Sequence, residues 1–349
     1  MRVLDSIKNN RAVSWFTTNW QRNPLFSTLV TLVVMIVVQT LALGFDYGSF
    51  GEWFGAWGRN WINILRNNSS VGIVAIGMTF VILSGGIDLA VGSTLVAVGA
   101  LLMTIINASP LGWAAQRDIG GWPLYLVGML AAVVFGFILG EITGLFVTKG
   151  RIPPFIVTLG TMMIWRSVTQ QLMQTRSTMV PREFQAIANT RFGDLMILPI
   201  IYWLVLAVIF HFVSKHTAFG RNVYAVGSNA RTAHLSGVNV QRVTRLVYAL
   251  TGALVAVAAI LQVARIGSMD YANAGSGYEM DAISAVVVGG TSMSGGRGSV
   301  LGTVLGVLII GVINNLLNLI GVPPFLRSAF QGFIVIAAVL LQRKSGSME

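Results

Sequence analysis

The sequence predicts an all-α polytopic membrane protein, and three observations support that fold class. Of the 349 residues, 54% are hydrophobic and only 10% are charged, whereas a soluble domain carries about 25% charged residues. The apolar residues fall in runs that approach the roughly 20 residues needed to cross a bilayer as a helix. The basic residues lie in short clusters between these runs. Together these features predict about ten transmembrane segments, some of them broken.

The predicted segments are set by the apolar runs between polar or glycine-rich stretches. In chain order they are 25–45, 69–84, 89–107, 122–147, 154–173, 195–213, 243–264, 282–293, 299–320 and 325–342. Two of them, 69–84 and 282–293, are too short to cross as straight helices. Each runs into a glycine-rich break, SGGIDLAVGS or SGGRGS. Unwound backbone is tolerated at membrane depth only where protein or water surrounds it, so these breaks are candidate functional regions.

The distribution of Lys and Arg predicts the orientation of the chain. Placing both termini in the cytoplasm puts the basic excess on the inner side, as the positive-inside rule requires. Residues 1–24 are then a cytoplasmic segment that can lie along the membrane surface or form a partly ordered tail. They precede a transmembrane domain over 25–342, with a cytoplasmic loop at 214–242, and a cytoplasmic tail over 343–349.

A faint internal repeat is visible in two segments that each place Pro-Pro-Phe after an apolar helix. They are GEITGLFVTKGRIPPFIV (140–157) and GVINNLLNLIGVPPFLRS (311–328). Their helices are five predicted segments apart, so the two copies would have opposite orientations. This arrangement is typical of an inverted five-helix repeat in a transporter. Chance similarity between two Gly/Pro turns is the alternative.

A basic interruption over 214–245 contains five Lys and Arg residues and no acidic residue. Within it, Ser228 or Asn229 can cap a short helix over 230–236, and Gly237 can end that helix in the left-handed conformation. The loop is therefore expected to present a compact helix to the cytosol. An ordinary positive-inside loop is the alternative interpretation.

Asp88 lies in the first glycine-rich break, after Ser84, Gly85 and Gly86. A carboxylate in this environment needs a partner or a role. It can cap the following helix by accepting bonds from the first N–H groups, or it can form a cation or proton site.

Other polar residues within the predicted segments are candidates for an ion pair or a transport pathway. Glu141 and Arg166 lie on neighbouring helices of one hairpin, and an ion pair is the simplest account of two buried opposite charges. Three amides, Asn314, Asn315 and Asn318, are unusual in a spanning helix. Amides suit sugar hydroxyls, and they also suit contacts between helices.

The sequence contains no recognisable catalytic, metal or nucleotide site. Cysteine is absent, the three histidines are not spaced as metal ligands, and no phosphate-binding loop occurs. The net charge of +11 is spread over short clusters, which argues against nucleic-acid binding. We expect no catalytic residue, no metal and no cofactor bound by this chain.

Four motifs resemble one known family over about residues 60–342. They are MTFVILSGGIDLAVGS (78–93), NARTAHLSGVNVQRVTRLVYALTG (229–252), GYEMDAISAVVVGGTSMSGGRGSVLGT (277–303) and NNLLNLIGVPPF (314–325). They look like the membrane permease subunit of bacterial ATP-binding-cassette (ABC) importers for monosaccharides of the ribose, xylose, arabinose and galactose type. That group lies within the superfamily of branched-chain amino acid and sugar permeases.

The resemblance implies a permease of the bacterial inner membrane that moves a monosaccharide and works with several partners. These would be an ABC ATPase that holds ATP and Mg²⁺, a periplasmic or surface sugar-binding protein, a second permease copy or a paralogous permease, and membrane lipid. It also implies a coupling helix that docks on the ATPase. Carried over to this chain, that helix comprises Asn229, Ala230, Arg231, Ala233, His234, Leu235, Ser236 and Gly237. This chain has Arg231-Thr232-Ala233-His234 where relatives often carry an acidic residue followed by alanines.

Three alternatives remain at this stage. The cargo of the importer could be a branched-chain amino acid, since that related family shares the architecture. The protein could be an ion-coupled secondary transporter using Asp88 or Glu141, or a membrane scaffold or receptor. The SGGID and GGTSMSGG segments favour a sugar.

Overall fold

The structure is a computed structural model that describes most of the chain. It covers residues 24–106, 121–174, 179–193, 195–323 and the six positions 326, 329, 330, 332, 333 and 336. Throughout this part the regular structure is helical, with a single isolated bridge between Phe192 and Leu195. The predicted all-α class is therefore confirmed for the described residues.

We number the helices of the described residues α1 to α12. In chain order they are α1 Pro24–Leu43, α2 Phe50–Leu83, α3 Val91–Ile105, α4 Trp122–Thr148, α5 Pro154–Met173, α6 Arg182–Asn189, α7 Leu198–His216, α8 Ala218–Ser228, α9 Ala230–Leu235, α10 Val240–Ile266, α11 Tyr278–Val288 and α12 Val300–Leu319.

Six helices in the described part are long and apolar enough to cross a membrane: α1, α2, α4, α7, α10 and α12. This confirms a polytopic membrane protein. The count of ten segments, the orientation and the inverted repeat stay predictions. The predicted segments 1–24 and 325–342 and the tail 343–349 lie wholly or largely outside the described residues.

The predicted short segment 69–84 is wrong, because it is the second half of the 34-residue helix α2. The helix begins at Phe50, just after Ser49, whose side chain accepts a hydrogen bond from the backbone N–H of Glu52. Tryptophans, glycines and asparagines between 50 and 68 conceal the helix from an apolar-run criterion. The prediction that the other segment, 282–293, is short is confirmed, because the helix there, α11, has only 11 residues and ends before Gly289.

The second half of α2 and most of α10 form the buried core, and α4 packs against α10. Close approach depends on glycines at the α4–α10 contact. A methyl group at Gly136 would overlap the carbonyl oxygen of Gly252, and one at Gly140 would overlap that of Tyr248. Small residues are the usual means of bringing helices together in lipid, where burial from water supplies no driving force. By contrast, α1 and α7 expose apolar residues along much of their length.

Candidate functional site

The basic loop carries the short helix that the sequence predicts. Asn229 accepts a hydrogen bond through its side-chain oxygen from the backbone N–H of Thr232 at 2.9 Å, which caps α9. The helix ends at Leu235, and Gly237 follows in the left-handed region with φ +84°. Of the two predicted caps, Asn229 is the one that forms. Ser228 instead ends the preceding helix α8.

Helix α9 is held by one side chain and exposes the others. Ala233 is buried, and its carbonyl accepts a hydrogen bond from the N–H of Val238 at 3.0 Å. Leu235 points outward with 79% of its surface exposed. Arg231, His234 and Ser236 are exposed as well. The loop therefore presents the exposed side chains of a capped helix, with an apolar residue at its end.

Behind α9, the two glycine-rich breaks meet each other. The N–H of Gly296 donates to the carbonyl of Leu83 at 2.9 Å, which joins the end of α2 to the break before α12. Gly227, near the end of α8, lies against that same Leu83 carbonyl so closely that a methyl group there would overlap it. Gly295 packs against Gly227. We call residues 83–86, 227–228 and 295–296 the glycine joint.

Asp88 holds the turn before α3, although not in the predicted way. Its carboxylate accepts a hydrogen bond from the N–H of Ala90 at 2.8 Å. Ala90 itself precedes α3 and provides no side-chain cap. The prediction that Asp88 bonds the first N–H groups of the helix is therefore corrected, because its carboxylate bonds the N–H of Ala90, the residue just before the helix. Asp88 is only 6% exposed.

Tyr248 is a buried neighbour of this break that the sequence analysis missed. Its hydroxyl lies beside Gly86 and within electrostatic reach of Asp88. It occupies α10, 160 positions after Asp88, and no local sequence pattern marks it.

The predicted ion pair between Glu141 and Arg166 is wrong. Glu141 pairs with Arg245 of α10 instead. Glu141 lies seven residues from the end of α4 and Arg166 lies twelve residues from the start of α5. At about 1.5 Å per residue, these positions differ in depth by roughly 8 Å relative to the turn between the helices. Arg245 is close because the glycine contacts bring α10 against α4.

Arg166 binds backbone carbonyls. Its Nη1 donates to the carbonyl oxygens of Ala272 at 3.2 Å and Ala274 at 2.8 Å. Its charge also lies within electrostatic reach of Asp270 and Glu279. Arg166 thereby fixes residues 267–277, an irregular segment between α10 and α11 that we call the inserted loop.

The inserted loop runs along α3. The Tyr271 hydroxyl lies 3.5 Å from the sulfur of Met103, and Met269 packs on Gly99. At the other end, a methyl group at Gly275 would lie 2.6 Å from the carbonyl oxygen of Gly92. The loop therefore runs from near the end of α3 to its start, where α11 also begins.

The asparagines of α12 separate into different environments. The Asn315 and Asn60 side chains exchange hydrogen bonds between α12 and α2 at 3.1 and 3.4 Å. This favours the helix-contact interpretation for Asn315. Asn318 is exposed and Asn314 is partly buried.

Comparison with known proteins identifies the family. Residues 60–339 match the family described as branched-chain amino acid transport system / permease component. The chain belongs to this permease family. The permease is therefore a multi-pass protein of the inner membrane with a transport role.

Three relatives illustrate its similarities. The ribose import permease protein RbsC of Escherichia coli is 36% identical over 95% of this chain and 96% of its own length. RbsC of Bacillus subtilis is 41% identical over 82% of this chain and 86% of its own. The xylose transport system permease protein XylH of Haemophilus influenzae is 31% identical over 89% and 95%. No solved structure matches the permease.

Proposed function

We propose that this permease is the membrane subunit of an ATP-driven ABC importer that moves a monosaccharide into the cell. A sugar-binding protein delivers the sugar, and a separate ATPase holds ATP and Mg²⁺. Two permease copies, or this chain with a paralogue, form the membrane part among the lipids. The similarity to ribose and xylose permeases over nearly the whole chain supports a sugar cargo over a branched-chain amino acid.

The observation that carries the coupling assignment is the exposure of Leu235 on a capped helix. An exposed leucine at the end of a capped helix can fill an apolar groove on a partner, because docking would remove its apolar surface from water. Docking of α9 on the ATPase would use Leu235 as that anchor. Arg231 and His234 would face the ATPase surface around it.

The glycine joint offers a direct route from α9 into the membrane. Asn229 directly follows α8 and caps α9, so a displacement of α9 acts directly on Gly227 and Ser228. These residues bear on the end of α2 and on the break before α12. ATP-driven closure of the ATPase would thus tilt α2 and α12 through the glycine joint. Such a movement requires that the packed helices have two stable arrangements.

The ion-coupled alternative is less well supported. It requires Asp88 or Glu141 to bind and release an ion during transport. Asp88 holds the backbone of Ala90, and Glu141 is engaged by Arg245. Both carboxylates therefore have structural partners.

The proposal is tested by substituting Leu235 with Asp and, as the matched control, with Met. We expect Leu235→Asp to weaken binding of the ATPase at least tenfold and to abolish ribose or xylose uptake by the assembled transporter. Leu235→Met keeps an apolar anchor and should retain both. Co-purification of the ATPase and uptake of labelled sugar into proteoliposomes measure the two effects. Normal assembly and uptake with Leu235→Asp would reject the coupling assignment.

A further inference from the structure

The inserted loop lies along α3, a helix that is buried inside the permease. Its contacts on α3 extend from Met103 to Gly92. Eleven residues of helix correspond to about 16 Å, which is around half of the hydrocarbon thickness. Helix α3 is buried along this length. The loop therefore enters the membrane domain beside a core helix.

The two sides of the loop differ in character. Met269 and Tyr271 are buried against α3. Ala272, Asn273 and Ser276 lie on the other side and are exposed. Lipid chains offer no hydrogen-bond partners, and irregular backbone at membrane depth occurs only against protein or a water-filled cavity.

Polar groups on and around this side are of the kinds that bind hydroxyl groups. Asp270 accepts hydrogen bonds from the N–H of Ala272 at 2.9 Å and from the side-chain amide of Asn273 at 2.8 Å. Asn273 also offers an amide oxygen, and Ser276 offers a hydroxyl that both donates and accepts. A sugar hydroxyl likewise donates and accepts, so these groups match a neutral polyhydroxylated molecule.

The charge of this region favours a neutral cargo. Arg166 is surrounded by the carbonyls of Ala272 and Ala274 and by the charges of Asp270 and Glu279. Its positive charge is thereby offset. A phosphorylated or otherwise anionic sugar at Arg166 would also meet the carboxylates of Asp270 and Glu279.

We propose that the exposed side of the inserted loop, with Asn273 and Ser276, lines the water-filled path of the sugar through the membrane. This proposal rests on the proposed function for the identity of the cargo. It extends that function by naming a polar binding surface for a neutral sugar within the permease. The rival occupant of this surface is a second permease copy packed directly upon it.

The natural absence of cysteine makes the position of this surface directly measurable. Single variants Asn273→Cys and Ser276→Cys in intact membranes are treated with a membrane-impermeant methanethiosulfonate reagent. The matched control is Met163→Cys on α5, which is 63% exposed and is followed by another exposed apolar residue, Ile164. We expect both loop variants to react at least tenfold faster than the control. Equal rates, or a disulfide between two copies at 273 without labelling, would overturn the proposal.

A transport measurement tests the sugar contact separately. In proteoliposomes with the ATPase and binding protein, we expect Asn273→Leu to reduce labelled ribose or xylose uptake at least tenfold while ATPase binding persists. Asn273→Gln should restore part of the uptake. Unchanged uptake with Asn273→Leu would overturn the contact. The labelling experiment requires no ATPase. If the loop variants are labelled rapidly but the unmodified permease fails to bind the ATPase, the proposed importer function is refuted while the water-filled path is not.

Discussion

Gly227 lies directly against the carbonyl oxygen of Leu83, and this contact leaves no room for a side chain. The same oxygen accepts the hydrogen bond of Gly296. One backbone group at the end of α2 thus contacts both the helix pair α8–α9 and the break that precedes α12. This relationship gives the basic loop a mechanical connection to the membrane core.

Substitution of Gly227 with Ala should uncouple ATP hydrolysis from transport. The added methyl group must push the end of α8 away from Leu83, at a cost of about 1–3 kcal/mol for an overpacked site. We expect sugar transported per ATP hydrolysed to fall at least tenfold while the ATPase still binds through α9. Uptake and phosphate release are measured on the same proteoliposomes.

The matched control for this experiment is Gly160→Ala. Gly160 is also helical, but nothing lies within 4 Å of where its methyl group would stand. That variant should keep the wild-type ratio. A wild-type ratio in Gly227→Ala would show that the joint does not transmit movement.

The Glu141–Arg245 pair should be energetically coupled, whereas Glu141 and Arg166 should be independent. The paired side chains are 27% and 37% exposed, so screening limits the interaction to about 0.5–1 kcal/mol. We expect Glu141→Gln and Arg245→Gln to be non-additive in thermal unfolding of the detergent-solubilised permease. Glu141→Gln and Arg166→Gln should add. Non-additive effects of the Glu141 and Arg166 substitutions, with additive effects of the Glu141 and Arg245 substitutions, would instead support the ion pair expected from the sequence.

Substitution of Asp88 with Asn should preserve transport within about twofold. The Asn side-chain oxygen can still accept the hydrogen bond from Ala90, so the turn before α3 is kept. Asp88→Leu removes the acceptor from a buried N–H and should destabilise the permease by about 1–3 kcal/mol. Thermal unfolding and sugar uptake separate the two variants. Complete loss of uptake in a stably folded Asp88→Asn would instead support a direct role for the carboxylate charge.

The features of this permease that depend only on residues close together in the sequence could be predicted from the sequence. Helix α9 is capped by Asn229 and followed by Gly237, and both signals lie within one turn of the helix they bound. The apolar runs of α4, α10 and α12 were equally clear, since hydrophobicity alone places a helix in lipid. The start of α2 was missed because its first turns are rich in tryptophan, glycine and asparagine.

The meeting of distant segments required the tertiary structure. Ser84–Gly86 and Ser294–Gly296 look alike in sequence, but nothing in the sequence says that they meet at Gly227. The partner of Glu141 was misjudged for the same reason, since counting along one hairpin ignores a third helix.

The sequence by itself determined that this chain crosses a membrane and presents a short basic helix at Asn229–Gly237, because hydrophobicity and capping are local properties. Only the tertiary structure decided that Arg245 pairs with Glu141, that the glycine breaks form one joint, and that residues 267–277 lie along α3. These depend on how closely backbones approach. That distance is set by glycines on separate helices, which meet only when the chain is folded.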